Sequence, residues 1–341
     1  MTVARARHPV NTFFHTDSGY RGVMPFTWTD SPTVSELGEQ RVLDRILPIL
    51  KTSKGVRVGP GDDAAVIDWP SESLVTTMDL MVEGPDFRRE WSTGFDVGWK
   101  AMASNLADVA AMGAVSRGVI IGLAVPDNIG ISALEDIARG VTAGLDRMAP
   151  GCGVWGGDLS SASQVILSVT VVGDLEGRWP VTRSGAKPGD VVAHAGTLGV
   201  SSRGLAELVD EGGDPEALRE TSEAVMWHLR PTPPLHLGPV AALAGATAMM
   251  DVSDGLLIDA RRLARASSVT IDLDTRGIPD HHALTGGEDH GLLACFPANV
   301  PVPEGFRVLG RVVKESTQPG EVTVDGVIPD EGAGGWDPYR R

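Results

Sequence analysis

The residues best suited to chemistry are acids set beside glycines or at the ends of apolar runs. Asp63 follows Gly59-Pro60-Gly61-Asp62, and Asp79 closes the run Leu74-Val75-Thr76-Thr77-Met78. Asp108 lies three residues after Asn105 in an apolar stretch, and Asp158 follows Gly156-Gly157. Asp251 and Asp254 share Asp251-Val252-Ser253-Asp254-Gly255, while Glu288 and Asp289 follow Gly286-Gly287. Glycine lets a chain turn tightly and lets a ligand approach the backbone. If these acids converge they cannot all stay charged and unpaired, because like charges raise one another's pKa. Hard divalent cations relieve that repulsion. A set of oxygen ligands without a nearby histidine suits Mg²⁺ or Mn²⁺ rather than zinc. Mg²⁺ held by few carboxylates completes its shell with waters and substrate phosphates, so the chemistry suggested is phosphate transfer. Spacing leaves plain alternatives open. Asp79 also reads as a turn residue, Asp108 as the solvated side of a helix, and Asp254 as a helix N-cap.

The elements that must position these acids follow from periodicity. Residues 33–50 read as a helix with Leu37, Val42, Ile46, Ile49 and Leu50 broadly on one face. Strand-like runs flank the Gly-Pro-Gly turn at residues 56–58 and 64–69, and residues 74–79 form another that delivers Asp79 at its end. A helix capped by Asp96 runs to about Met112, with Met102, Leu106, Val109 and Gly113 on its buried face. Then come a strand at 115–125, a helix at 132–148, a strand ending at the Gly156-Gly157-Asp158 turn, and a strand at 164–173. After a Gly/Pro-bearing hinge, strands are expected at 191–194, before Asp251, and at 269–273, 292–296, 306–309 and 322–324. Helices are expected at 201–209, near Val240, and after Asp254, the last burying Leu256, Leu257, Ala260, Leu263 and Ala264. The result is a mixed α/β (α+β) chain with residues 1–31 as a flexible extension, 32–178 as an N-terminal domain and 179–341 as a C-terminal α/β domain.

Bulk properties exclude several classes. At 341 residues, with 42% hydrophobic and 22% charged, the chain suits a soluble enzyme of about two domains. A formal net charge of −16 argues against nucleic acid or anionic membrane as partner. No apolar run approaches the roughly 18 residues of a membrane span. The N-terminus has no apolar core of a secretory signal. The two cysteines, Cys152 and Cys295, sit in no metal-binding spacing and read as buried free thiols, which fits a reducing cytoplasm. No Walker A or protein-kinase motif set is present. Gly59-x-Gly61-x-x-Ala64 matches the dinucleotide fingerprint, but that motif must open a helix and the residues after it read as a strand.

Taken in order, the motifs Gly61-Asp62-Asp63-Ala64, Asn105-Leu106-Ala107-Asp108-Val109-Ala110-Ala111-Met112-Gly113-Ala114, Gly156-Gly157-Asp158, Thr182-Arg183-Ser184-Gly185-Ala186-Lys187-Pro188-Gly189-Asp190, Asp251-Val252-Ser253-Asp254-Gly255 and Gly286-Gly287-Glu288-Asp289 resemble those of the bacterial thiamine-monophosphate kinase family. The wider superfamily includes aminoimidazole ribonucleotide synthetase, and the resemblance spans about residues 33–340. It implies a two-domain fold in which N-terminal domains of two subunits pair into a β-barrel-like core with ATP near the interface. It implies a cytoplasmic homodimer that uses ATP and several Mg²⁺ ions to convert thiamine monophosphate to thiamine diphosphate, a step of thiamine diphosphate biosynthesis. It assigns Asp63, Asp79, Asp108, Asp158, Asp251 and Asp254, with Thr77 and the position of Met78, to the metals. Of these, Asp108, Asp158 and Asp254 are the catalytic set. Gly157, Asp158, Arg183 and Ser253 are assigned to ATP, and Glu288, Trp336 and the position of Asp86 to the acceptor.

The chain departs from the family pattern where Met78 replaces a hydroxyl residue, leaving at most a backbone contact there. Asp86 replaces a histidine and would repel an anionic acceptor unless it turns away or meets a metal. His290-Gly291 replaces a Tyr-Glu pair. The alternatives are an ATP-dependent relative with another acceptor, or a thiamine-phosphate binder without turnover.

Overall fold

The computed structural model describes residues 26–29, 31–60, 65–210, 214–313, 319–329 and 335. Most of the expected extension, and both Asp63 and Trp336, lie outside the described residues. The first helical segment opens with a capping box between Thr33 and Glu36. The single helix expected over 33–50 is divided at Gly38 (φ 75°) into α1 (Val34–Leu37) and α2 (Glu39–Ile46), with a 3₁₀ turn at Leu47–Ile49. β1 (Val56–Val58) and β2 (Val66–Ile67) pair antiparallel across the Gly-Pro-Gly turn. A strand in that place removes the dinucleotide reading, which needs a helix.

The N-terminal sheet is built from β3 (Leu74–Val82), β4 (Val115–Val125), β5 (Gly153–Ser161) and β6 (Ile166–Asp174). Between them run α3 (Gly94–Ala111) and α4 (Ile131–Met148). The strand order is β3-β6-β4-β5, antiparallel except for β4 and β5. That parallel pair needs a crossover, and α4 provides it. The two helices cover one sheet face, where Met102, Leu106, Leu134, Leu145 and Leu167 are fully buried. They pack closely enough that a Cβ on Gly98 would stand 2.2 Å from the Ile137 carbonyl oxygen, so only glycine fits there. The other face keeps Leu74, Met78, Leu80 and Ile120 exposed.

The C-terminal sheet contains β7 (Val191–Ala195), β8 (Ala248–Val252), β9 (Ile271–Leu273), β10 (Gly291–Phe296), β11 (Phe306–Val312) and β12 (Val322–Val324), in the order β12-β9-β11-β7-β10-β8. The helices are α5 (Val200–Val209), α6 (Pro215–Thr221), α7 (Glu223–Leu229), α8 (Leu237–Leu243), α9 (Leu256–Ser267) and α10 (His281–Thr285). α9 buries Leu256, Leu257, Ala260, Leu263 and Ala264 as its spacing predicts. α6 and α7 are absent from the sequence reading because each is too short to show a period. Cys152 and Cys295 are buried free thiols, and burial pushes both up to about 12.

α3 joins the two sheets. Its N-cap is Thr93, with Asp96 as the third residue of a capping box rather than the cap itself. Asp96 is 1% exposed and pairs with Arg219 (2.6 Å) and Arg230 of the C-terminal part. Trp99 Nε1 donates to Pro231 O at 2.8 Å, and Lys100 pairs with Glu288. Near its C-terminus, a Cβ on Gly238 would meet the Ala110 carbonyl oxygen at 2.0 Å. The helix therefore touches the second half of the chain along its whole length.

Candidate active site

Asp79, Asp108 and Asp251 come from three elements of both halves. Asp79 sits in the middle of β3 rather than at its end, because the strand continues to Val82. Its backbone N–H is on the free edge of the sheet and donates to Asn105 Oδ1 at 3.1 Å. Asn105 is in turn fixed by its own donation to Ala101 O at 2.9 Å. Asp108, on the next turn of α3, accepts a hydrogen bond from Thr77 Oγ1 at 2.9 Å. Asp251 is the buried fourth residue of β8.

These three carboxylates act on one another. Burial, then the charge of Asp251, raises the Asp79 carboxyl above its ordinary range. Burial, then Asp251 and Asp79, pushes Asp108 up to about 6. Asp259, in the first turn of α9, is raised to about 7 by burial and by Asp251. His290 is buried, with Nδ1 3.6 Å from Asp251 Oδ2. Burial disfavours its charge, but Asp251 and Glu288 outweigh that and raise its pKa. The Tyr-to-His change thus lies against the acid centre rather than on the acceptor wall.

Asp254 is placed differently. Its Oδ2 accepts from Arg262 at 2.5 Å, and its N–H donates to Asp259 Oδ2 at 3.0 Å. Asp158 is exposed in β5, so Gly156-Gly157-Asp158 belongs to a strand, not to a turn after one. In register Asp158 stands opposite Gly122, and β6 and β4 separate β5 from β3. That is roughly 14 Å from β3 at the usual strand spacing. Met78 is 54% exposed and by strand alternation points away from Thr77 and Asp79.

Two cavities flank the acids. One, of 1480 Å³, is lined by Thr77, Asp108, Met112, Trp179, Arg183 and Asp251 among others. The second, of 1080 Å³, is lined by Asp86, Trp91, His228, Ser253, Gly287 and Glu288 among others. Arg183 and Ser253 therefore line different cavities. β3 and the segment following it run from the first cavity to the second, and so do β8 and the Ser253 turn. The acids stand at the partition.

On the wall of the second cavity the acids Asp86 and Glu288 both have partners. Asp86 Oδ2 accepts from its own turn at Val82 N, 2.7 Å away. Glu288 has φ 68°, a left-handed backbone unusual for a side-chain-bearing residue. Gly287 before it must be glycine, because a Cβ there would meet Ser253 O at 2.4 Å. Glu288 N donates to Ser253 O at 2.7 Å. Asp289 accepts from Val200 N (3.2 Å), Ser201 N (3.0 Å) and Thr197 Oγ1 (3.1 Å), so it caps α5 rather than facing the acid centre. Burial works against the Glu288 charge, but the Lys100 ammonium, with His228 and His290, holds it down to about 2. Burial and Lys100 hold His228 down to about 3, and its Nδ1 meets Ser201 Oγ at 2.9 Å.

The donor set fits Mg²⁺. The crowded acids offer carboxylate and hydroxyl oxygens, but the buried His290 ring stands 3.6 Å from Asp251, so the expectation of no nearby histidine does not hold; the repulsion that raises Asp108 is what a divalent cation relieves. Among the described residues no three His, Cys, Asp or Glu side chains form a complete ion site by themselves. Sequence reasoning overlooks Lys100, His228 and Asp259. The one local signal for Lys100 is a lysine inside the apolar helix run Gly98-Trp99-Lys100-Ala101-Met102.

The chain matches the family models for AIR synthase related protein, the N-terminal domain over residues 61–175 and the C-terminal domain over 187–328. It is similar to thiamine-monophosphate kinase of Mycobacterium tuberculosis, 41% identical over 315 residues, covering 87% of this chain and 91% of that protein. The same enzyme of Corynebacterium glutamicum is 36% identical over 326 residues, covering 89% and 95%. A solved structure of AaThiL complexed with AMPPCP and TMP has a TM-score of 0.68 and 32% identity, covering 89% of this chain and 98% of that one.

Proposed function

The chain belongs to the AIR synthase related family, among its thiamine-monophosphate kinases, and from that premise we propose that it transfers the ATP γ-phosphoryl group directly to thiamine monophosphate. The observation that carries this reading is the meeting of Asp79, Asp108 and Asp251 at the partition between two cavities. ATP occupies the larger cavity, with Arg183 on its phosphates, and thiamine monophosphate the smaller, beside Glu288 and Asp86. Gly157 and Ser253 serve ATP, Ser253 from the partition, and Trp336 serves the acceptor. Asp63, Asp79, Asp108, Asp158, Asp251 and Asp254, with Thr77 and the backbone of Met78, hold the Mg²⁺ ions; Asp108, Asp158 and Asp254 form the catalytic set.

The acceptor is a phosphate oxygen whose second pKa is about 6, so at neutral pH it needs no strong general base. The difficulty is to bring two polyanions together, and catalysis is alignment plus charge neutralisation. Bound Mg²⁺ supplies that neutralisation. The chain's own residues fix the line of transfer. Thr77 orients the Asp108 carboxylate, Asn105 clamps β3 beside it, and β8 holds Asp251 opposite.

Residues 32–178 form the unit that binds metal and ATP and dimerises, and 179–341 the second α/β unit. The open face of the N-terminal sheet, with Leu74, Met78, Leu80 and Ile120 exposed, supports pairing with a second copy into a barrel-like core. Asp158 aligns through Gly122 and Ser168 with Leu80, on that same face. A dimer therefore has Asp158 at its shared surface, where ATP lies. The two buried free thiols support a reducing cytoplasm as the setting. Rapid quenching with γ-labelled ATP tests direct transfer. All label should pass to thiamine diphosphate with one ADP formed per product, and label trapped on the protein would contradict it.

A further inference from the structure

Lys100 is 4% exposed, and lysine is almost never so buried unless paired. It projects from α3 of the N-terminal half, where its neighbours Val97, Ala101 and Ala103 belong to the apolar core. Its Nζ meets Glu288 Oε2, which the C-terminal half contributes, and stands 3.4 Å from the Asp86 carbonyl oxygen. Lys100 is not among the residues lining the acceptor cavity, whereas Glu288 and Asp86 are. It therefore acts on a ligand only through them. Glu288 is fixed on the other side by its left-handed backbone and by its bond to Ser253 O. Such a conformation persists only where the surroundings over-determine it.

We propose that Lys100 is the positioning residue of the acceptor site: its ammonium fixes the Glu288 carboxylate and offsets the charge of Asp86, so that a phosphate ester can enter beside two acids. The inference rests on the kinase reading above. It also gives α3 a second task. Lys100 and Asp108 lie on one rigid helix, about 12 Å apart along its axis. The helix sets the distance between the acceptor wall and the acid centre.

The test is steady-state kinetics with thiamine monophosphate and ATP varied separately. Lys100→Met keeps the stem and removes the charge. It should raise the KM for thiamine monophosphate at least about 10-fold, the loss expected for a broken charged hydrogen bond, and leave the KM for ATP within about twofold. Lys100→Arg should recover most of the loss. The double variant Lys100→Met with Glu288→Gln should be no worse than Glu288→Gln alone, because both act through one carboxylate. Lys100→Gln is read in the same way and covers a methionine variant that does not fold. An unchanged KM for thiamine monophosphate, an equal rise in both KM values, or additive losses in the double variant would overturn the inference and leave the kinase reading intact. A wild-type chain that makes no thiamine diphosphate would overturn the kinase reading, and the inference with it.

Discussion

The two ends of α3 treat charge in opposite ways. At the N-terminal end every charge that meets the other half of the chain has a partner: Asp96 has Arg219 and Arg230, and Lys100 has Glu288. At the C-terminal end Asp108 faces Asp79 and Asp251, which are charges of its own sign. A buried pair is strongly destabilised when one partner is lost, so the first arrangement locks two parts together. Crowded acids are costly until a cation relieves them, which is the part the proposed function gives to the second. On the function proposed above, the same helix docks with one end and holds the metal site with the other.

That comparison can be broken in steps. The largest effect belongs to the docking end. Asp96→Ala should cost about 3 kcal/mol of stability, measured by urea unfolding, because it strands two arginines packed against the interface. A loss below about 1 kcal/mol would show the pair to be ornamental. At the binding end, Asp108→Asn should lower kcat by at least about 10²-fold, comparable to losing one oxyanion donor. Near-normal turnover would end the metal-site assignment.

The pH dependence separates the ends by sign. Asp96 and Glu288 are held below the ordinary carboxylate range, and His228 is held down to about 3. Each stabilises the fold above its unfolded value, about 4 for the acids and about 6.5 for histidine, and loses that contribution as pH falls. Asp108 runs the other way. Its folded value of about 6 exceeds its unfolded value of about 4, so its ionisation costs stability as pH rises through that window. In metal-free protein, Asp108→Asn should therefore raise Tm by a few °C at pH 8 and leave it nearly unchanged at pH 4. A lower Tm at pH 8 would mean that Asp108 is paired after all. The smallest effect is expected from Met78→Ser. Its side chain faces away from Thr77 and Asp79, so kcat should stay within about twofold. A gain of tenfold would put that side chain at the metals.

Much of this arrangement can be read from the sequence, because the motifs are local. The strand at 115–125, the buried stripe of α9 and the Asp251–Gly255 turn follow from residue spacing alone. Asp158 reads as a turn residue and Asp79 as the end of a strand, yet both lie within strands, while Asp108 lies within α3 as its apolar run predicts. Spacing marks a glycine beside an acid as a loop, but cannot tell that β5 carries its glycine pair through the sheet. The pairing of Lys100 with Glu288 joins residues far apart in the chain, and no local period encodes it. The same holds for Asp96, which reads as a cap because its arginines come from α7's end and α6. Asp86 reads as an obstacle to an anionic acceptor; its carboxylate accepts from Val82 N, and the Lys100 ammonium that offsets its charge comes from a distant stretch of the chain.

The most direct measurement is product formation by the purified chain with ATP and Mg²⁺, offering thiamine monophosphate in one reaction and thiamine in a parallel one, each with and without a chelator. The account predicts thiamine diphosphate from the monophosphate alone, and none once Mg²⁺ is removed. Bound ATP with no diphosphate formed, or equal rates with the chelator present, would contradict it.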